Sequence, residues 1–251
     1  MFCPHCGKEI TEGQAFCQYC GVRLAGSGPE VFPGRSKTPW EDRETVGFVS
    51  GLFRTVKETL FRPSEFFRIM PVTGGLTDPL LFALITGMTG LMFFYCWDIL
   101  LHDSLRNFMT PELRAASEQS LFGERGESFG AVMTPFLLIL WLFIASGLLH
   151  LFLLMARGAR AGYAATFRVI AYSVSPFVFL AIPVCGMPVT ALWVMTLAII
   201  GLKEAHETSG GKAAFAVLFP FLFCCGLLVL ALALFMGAVA ASFGSMMHMY
   251  R

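Results

Sequence analysis

The sequence predicts an all-α polytopic membrane protein with five transmembrane helices, a small N-terminal zinc ribbon and a cytosolic amphipathic helix. The spans are predicted by composition, because 56% of the 251 residues are hydrophobic and only 14% are charged, whereas soluble domains carry about 25% charged residues. The ribbon is predicted by two Cys-x-x-Cys units that lie close together at the N-terminus. An ordinary soluble domain is therefore excluded.

Residues 1–24 are predicted to form the zinc ribbon. Each Cys-x-x-Cys unit offers two thiolates to a tetrahedral metal, and four thiolates close a structural zinc site. So short a segment cannot bury a useful core, and the metal would supply its folding free energy. A four-thiolate iron site and a redox disulfide are the alternatives. The ligands expected for one zinc ion are Cys3, Cys6, Cys17 and Cys20.

The charges of this ribbon balance, because Lys8 and Arg23 are offset by Glu9 and Glu12. A nucleic-acid-binding module would present a basic surface. We therefore expect a cytosolic protein partner and no nucleic acid. The ribbon also lacks the apolar core of a cleavable signal peptide, so membrane insertion is expected to depend on the internal spans.

Two further segments separate the ribbon from the spans. Residues 25–45 are predicted to be a flexible linker, because glycine and proline break every periodicity there. Residues 46–70 are predicted to form amphipathic interfacial helices, since apolar residues recur at helical spacing opposite basic ones. Such a helix suits the membrane surface, and packing on the protein's own cytosolic face is the alternative. The basic residues of this membrane-surface helix are Arg54, Lys57, Arg62 and Arg68.

Residues 71–251 are predicted to hold the five spans, each close to the roughly 20 apolar residues that cross a bilayer. These runs lack the alternation of barrel strands, so helices are expected. The expected spans are 79–101, 132–156, 164–183, 184–202 and 213–241. Basic residues favour the N-terminal side of the membrane. The N-terminus is therefore expected in the cytosol and the C-terminus outside, and a reducing cytosol agrees with metal-bound thiolates.

Three polar side chains within the spans form a predicted intramembrane polar site: His150, Arg168 and Tyr172. Titratable groups are costly in lipid and usually face protein or water. The functional interpretation is a polar cavity open to the cytosol. The alternatives are a structural hydrogen bond for His150 and a side chain of Arg168 that reaches the headgroups.

Other polar or reactive residues receive a structural interpretation. The loop with Glu204, His206 and Glu207 is expected to be solvated. A disulfide between Cys96 and Cys185 stays open. Small residues such as Gly87 and Gly90 could support homo-oligomerisation. No nucleophile elbow, phosphate loop or paired-carboxylate site is found, so an enzyme is not expected.

The chain resembles the Yip-domain membrane proteins, whose eukaryotic members interact with Rab GTPases in Golgi traffic. The resemblance covers about residues 46–241 and rests on four groups of residues. The eukaryotic motif Asp-Leu-Tyr-Gly-Pro is absent from the sequence. The four groups are Phe61-x-Pro63-x-x-Phe66-Phe67; His150 with Thr166-Phe167-Arg168; Tyr172-x-x-x-Pro176 with Pro183 and Trp193; and Gly201-Leu202-x-x-x-His206 with Lys212-Ala213. The resemblance implies a five-span fold, and the ribbon ahead of it is typical of a prokaryotic member.

Two functions are expected from these features. The first is a non-enzymatic scaffold of the bacterial inner membrane that contacts lipids and recruits a cytosolic partner through its zinc ribbon. The alternative is a small-solute or ion transporter whose cavity is lined by His150, Arg168 and Tyr172.

Overall fold

Helices form the regular elements of the computed structural model, which describes residues 2–3, 6–9, 18–20, 34–108, 110 and 124–249. Strands are absent from these residues, apart from an isolated β-bridge between Phe2 and Glu9. The helical fold class is thereby confirmed. The helices are α1 (Arg43–Val46), α2 (Phe48–Phe61), α3 (Pro63–Ile69), α4 (Thr77–Phe108), α5 (Glu124–Met155), α6 (Gly162–Tyr172), α7 (Gly186–Ala205) and α8 (Gly210–Met249), with a 3₁₀ helix at Ser175–Ala181 between α6 and α7.

Five helical segments of the described chain are long and apolar enough to cross a membrane, which confirms the predicted number of spans. They are Thr77–Leu101, Val132–Met155, Gly162–Ala181, Gly186–Ala205 and Gly210–Leu234. Their outward surfaces carry large exposed apolar side chains, as expected for residues in contact with lipid. The protein is therefore a multi-pass membrane protein.

The third span lies at the centre of the bundle. Burial reaches 72% of its most apolar window, against at most 33% for the other spans. It is an α-helix only as far as Tyr172 and continues as the 3₁₀ helix. Pro176 has no N–H with which to extend the α-helical pattern. The carbonyl of Tyr172 instead accepts a hydrogen bond of 2.8 Å from the hydroxyl of Ser175.

Glycines allow the neighbouring helices to approach this central span closely. A Cβ atom at Gly90 would lie 2.4 Å from the backbone oxygen of Phe177, and one at Gly201 would lie 2.5 Å from Val169. Gly87 similarly faces side chains of its own chain, Leu138 and Val174. The predicted role of Gly87 and Gly90 in homo-oligomerisation is therefore wrong, because intramolecular packing occupies both of them.

The expected flexible linker at 25–45 is wrong for its second half. From Gly34 the chain packs against the end of the bundle at which the first span begins, where Trp40 is fully buried. The indole Nε1 of Trp40 donates to the carbonyl of Asp78 at 2.8 Å, and its backbone N–H donates to Thr55 at 3.0 Å. Burial of a large aromatic ring outweighs the glycine and proline content of the segment. The first half of the predicted linker lies outside the described residues.

The side chain of Arg35 extends this docking by capping two helices. Its Nη1 donates to the carbonyl of Met70, just after α3, at 3.0 Å. Its Nη2 donates to the carbonyls of Glu204 and Ala205, at the end of α7, at 3.3 Å each. The last carbonyls of a helix have no intrahelical donor and carry partial negative charge. One arginine therefore joins the N-terminal segment to α3 and to the fourth span.

Replacing Gly90 by alanine should lower the melting temperature of the purified protein in detergent. The added Cβ cannot fit 2.4 Å from a backbone oxygen, and overpacking of this kind costs about 1–3 kcal/mol. Gly147→Ala is the matched control, because nothing lies within 4 Å of a Cβ placed there. Equal melting temperatures for the two variants would contradict the close packing of the first span on the third.

Candidate functional site

The N-terminal cysteines form the first candidate site. The thiols of Cys3, Cys6 and Cys20 lie within 4.8 Å of one another, and the sulfurs of Cys3 and Cys20 are 3.6 Å apart. Two sulfurs bound to one tetrahedral zinc at about 2.3 Å would be about 3.8 Å apart. The three thiols therefore suit zinc, while the fourth predicted ligand, Cys17, lies outside the described residues.

The backbone around these cysteines forms the tight turn that a zinc knuckle requires. The N–H of Gly7 donates to the carbonyl of Cys3, and the N–H of Cys3 donates to the carbonyl of Lys8, both at 2.9 Å. Gly7 has a φ of +69°, which glycine adopts without steric cost. The turn directs Cys3 and Cys6 towards a common centre, as metal ligation demands.

The second candidate site is a buried carboxylate site formed by Glu41, Arg168, Tyr172 and Thr38. A single oxygen of Glu41 accepts hydrogen bonds from Arg168 Nη1 and from the hydroxyl of Tyr172, each at 2.6 Å. The side chains of Arg168 and Glu41 are only 5% and 7% exposed. Arg168 therefore does not reach towards the headgroups, because its countercharge comes from the N-terminal segment.

The other polar atoms of this site also form hydrogen bonds, with one exception. Arg168 Nη2 donates to the carbonyl of Gly75 at 2.9 Å. Tyr172 gives its proton to Glu41, so the hydroxyl of Thr38, 3.1 Å away, donates to the tyrosine oxygen. Within the described part of this site, the buried Nε of Arg168 finds no acceptor.

Aromatic rings enclose the carboxylate site. Tyr172 contacts Phe66 and Phe82, with centroids 5.3 and 5.1 Å apart, and Phe82 contacts Trp40 at 6.1 Å. Such rings exclude water and strengthen the ion pair by lowering the local dielectric. The arrangement holds the carboxylate of Glu41 inside an apolar shell, which suits a structural role in which the N-terminal segment is attached to the third span.

The third candidate site is a histidine chain formed by His150, Thr166 and His206. The hydroxyl of Thr166 lies 2.8 Å from His150 Nδ1 and 2.9 Å from His206 Nε2. The N–H of Ala161 donates to His206 Nδ1 at 3.1 Å. That nitrogen therefore carries no proton, and neutral His206 must be protonated at Nε2. It donates to Thr166, which in turn donates to His150.

The pKa of His206 agrees with this tautomer. Burial, followed by the charges of His150 and Arg35, lowers the pKa of His206 to about 4. The imidazole is therefore neutral near pH 7 and can accept the amide proton of Ala161. The expectation of a solvated loop at His206 is wrong, because the side chain is buried between α6 and α7.

The predicted polar residues do not meet in one cavity. Thr166 and Arg168 are two positions apart on α6 and point in nearly opposite directions, because each residue turns the helix by about 100°. Arg168 and Tyr172 face the N-terminal segment, whereas His150 contacts the opposite side of α6 through Thr166. The structure therefore separates His150 from Arg168 and Tyr172 into two networks.

The basic residues of the predicted membrane-surface helix differ in their contacts. Arg54 and Lys57 are exposed on α2 and have no ion pair with any described residue. Arg62 lies 3.8 Å from Glu65, and Arg68 lies 3.2 Å from Glu204. Only the first two are thus available to external anions without first losing a partner.

The sequence argument missed four residues of these networks: Thr38, Glu41, Thr166 and His206. Their partners are far away in the chain, with Glu41 and Arg168 separated by 127 positions. Spacing within a helix cannot reveal such a pair. Thr166 and His206 were noted only as residues of the family resemblance. For Glu41 the available signal was the neighbouring Trp40, since a large aromatic residue is unusual in a solvated linker.

Comparison with protein-family models gives two matches. Residues 57–247 match the Yip1 domain, and residues 2–23 match a zinc-ribbon domain. The first match covers most of the chain and all five spans, and it confirms the resemblance seen in the sequence. No curated protein and no solved structure matches the chain.

Breaking the ion pair between Glu41 and Arg168 should strongly destabilise the protein. Glu41→Gln leaves a buried guanidinium without its countercharge, which costs about 3–5 kcal/mol. Arg68→Gln is the matched control, because it breaks an exposed pair worth at most about 1 kcal/mol. Thermal unfolding in detergent would distinguish the two variants. Equal losses would show that Glu41 contributes no more than a surface charge.

The stability of the protein should fall as the pH drops from about 6.5 to about 4. Over this interval the unfolded histidine binds a proton that folded His206 does not, so the free energy of unfolding decreases by up to about 3 kcal/mol. The charged groups facing His206 are His150 and Arg35. Thermal unfolding against pH would measure the slope. His206→Gln should flatten it, and an unchanged slope would contradict this assignment.

Proposed function

Because the chain belongs to the Yip1 domain family and also carries a zinc ribbon, we propose that it is a non-enzymatic membrane scaffold. In this proposal the bundle anchors the protein, and the ribbon recruits a protein partner at the cytosolic surface. The supporting observation is the buried ion pair between Glu41 and Arg168, which fastens the chain following the ribbon to the central span.

This attachment limits how far the ribbon can be from the membrane. Cys20 is the last ribbon cysteine, and the chain is packed on the bundle from Arg35 onwards. The intervening residues span at most about 50 Å when fully extended, at about 3.5 Å per residue. A partner bound to the ribbon would thus be held close to the bilayer, and its effective concentration there would rise.

The ribbon in this proposal holds one zinc ion through Cys3, Cys6, Cys17 and Cys20. The three described thiols lie within 4.8 Å of one another, and the 3.6 Å between the sulfurs of Cys3 and Cys20 is close to the separation in a tetrahedral zinc site. The metal would supply rigidity and folding free energy to a segment that is too short to have its own core. The balanced charge of the ribbon favours a protein partner over nucleic acid.

We further propose the inner membrane of a bacterium as the location, with the N-terminus in the cytosol and the C-terminus outside. Arg35 contacts the end of the fourth span, and Arg160 donates to the carbonyl of Glu207 on the same side. Lys212 donates to the carbonyl of Arg157 there as well. This concentration of basic residues is typical of a cytosolic face. Homo-oligomerisation stays open.

The contacts of the polar residues favour a scaffold over a transporter. A transport site needs polar groups that converge on a path through the bundle. Here Arg168 and Tyr172 are engaged by Glu41. The histidine chain ends at the backbone N–H of Ala161, a donor that cannot accept a proton from His206. Neither network provides a continuous route.

The scaffold proposal is tested by photocrosslinking in living cells. Benzoylphenylalanine at Tyr19, an exposed ribbon position, should give a discrete adduct with one recurring protein. Cys17→Ser should remove both the adduct and the single zinc ion measured per chain. Cys96→Ser is the matched control and should retain both, because Cys96 lies in the first span. An adduct that survives loss of the metal would contradict recruitment through the ribbon.

A further inference from the structure

The outward face of α2 is unusually apolar for a helix at the cytosolic end of a membrane protein. Phe48 is 52% exposed, Val49 62%, Phe53 68% and Phe61, the last residue of the helix, 77%. Isolated apolar residues are common on protein surfaces, but several on one short helix indicate a binding surface.

The inward face of α2 carries small and polar residues beside the buried Leu60. Gly51, Thr55 and Thr59 are buried, and a Cβ at Gly51 would lie 2.7 Å from the carbonyl oxygen of Pro39. The hydroxyl of Thr59 donates to Ser175 at 2.7 Å. The buried hydroxyls of Thr55 and Thr59 are thus satisfied by protein, while the phenylalanines of the helix are exposed.

The contacts of α2 also determine its depth in the membrane. Thr55 accepts the N–H of Trp40, whose indole donates to the carbonyl of Asp78 near the cytosolic end of the first span. Gly87, nine residues further, is about 14 Å deeper at 1.5 Å per residue. Gly87 faces Val174 of the third span. The next residue, Ser175, accepts the hydrogen bond of Thr59, so Thr59 lies at a similar depth. The C-terminal half of α2 therefore lies beside the middle of the third span.

From this depth we infer that α2 and α3, the hairpin Phe48–Ile69, insert into the cytosolic leaflet and bind anionic phospholipids. Acyl chains contact Phe53 and Phe61, and the headgroup phosphates pair with Arg54 and Lys57. The inference goes beyond the scaffold proposal and does not depend on the ribbon or its partner.

Two features favour lipid as the occupant. The apolar face of α2 begins beside the first span, because Phe48 packs on buried Trp40 at 5.1 Å and Trp40 packs on buried Phe82 at 6.1 Å. The adjacent Leu81 is exposed on the first span. Arg54 and Lys57, which form no salt bridge with a described residue, complement anionic headgroups, to which basic residues near the membrane surface are attracted.

The insertion is tested with the full-length protein in nanodiscs of phosphatidylglycerol and phosphatidylcholine. Benzoylphenylalanine replaces Phe53 or Phe61, and adducts are identified by mass spectrometry. Leu140, exposed on the second span, is the lipid-facing control, and Glu44, exposed on α1, is the solvent-facing control. Lipid adducts at positions 53 and 61 should approach the yield at 140 and exceed that at 44 several-fold.

The headgroup preference is tested in the same nanodiscs. Arg54→Gln and Lys57→Gln should each reduce the ratio of phosphatidylglycerol to phosphatidylcholine adducts by up to about fivefold. Lys37→Gln, an exposed charge outside the hairpin, should leave the ratio nearly unchanged. Adducts between two copies of the chain, or yields no higher than at Glu44, would overturn the inference. An unaltered lipid ratio in both charge variants would overturn the anionic preference.

Discussion

The positive charge of Arg168 in the central span is the constraint on which the rest of the structure depends. A guanidinium inside a bundle is tolerated only if a countercharge and hydrogen bonds replace water. Glu41 supplies that countercharge, so the N-terminal segment must fold back onto the bundle. Trp40, Thr38 and Arg35 then follow into buried or capping positions. A single charge thus explains why the described chain from Gly34 to Glu41 packs on the bundle.

In the same span, one proline creates the attachment point for α2. Pro176 ends the α-helical pattern, and the hydroxyl of Ser175 takes over the carbonyl that Pro176 leaves free. That hydroxyl also accepts the hydrogen bond of Thr59, which attaches α2 to the bundle. The break in the third span is therefore a junction between the membrane domain and the hairpin before it. Its glycine-lined contacts with the first and fourth spans keep this junction closed.

Local patterns were sufficient for the number of spans and for the grouping of Cys3, Cys6 and Cys20, because each is encoded in nearby residues. An apolar run of about 20 residues identifies a span, and a Cys-x-x-Cys unit identifies a knuckle. The networks at Arg168 and His206 could not be found in this way, since each joins residues from different helices. The orientation of α2 was also beyond the sequence, because the pairing of Thr59 with Ser175 appears only once the third span is folded.

The separation of 127 positions between Glu41 and Arg168 has a consequence for biosynthesis. Glu41 leaves the ribosome first and must wait, solvated, until two spans have been inserted and the third has arrived. Before the third span is inserted, the N-terminal segment has no central span to pack on. When Arg168 arrives, it enters the membrane before Glu41 has paired with it. Docking of the N-terminal segment is therefore a late event in assembly, and a nascent chain that stalls before the third span would leave Trp40 without its packing partners.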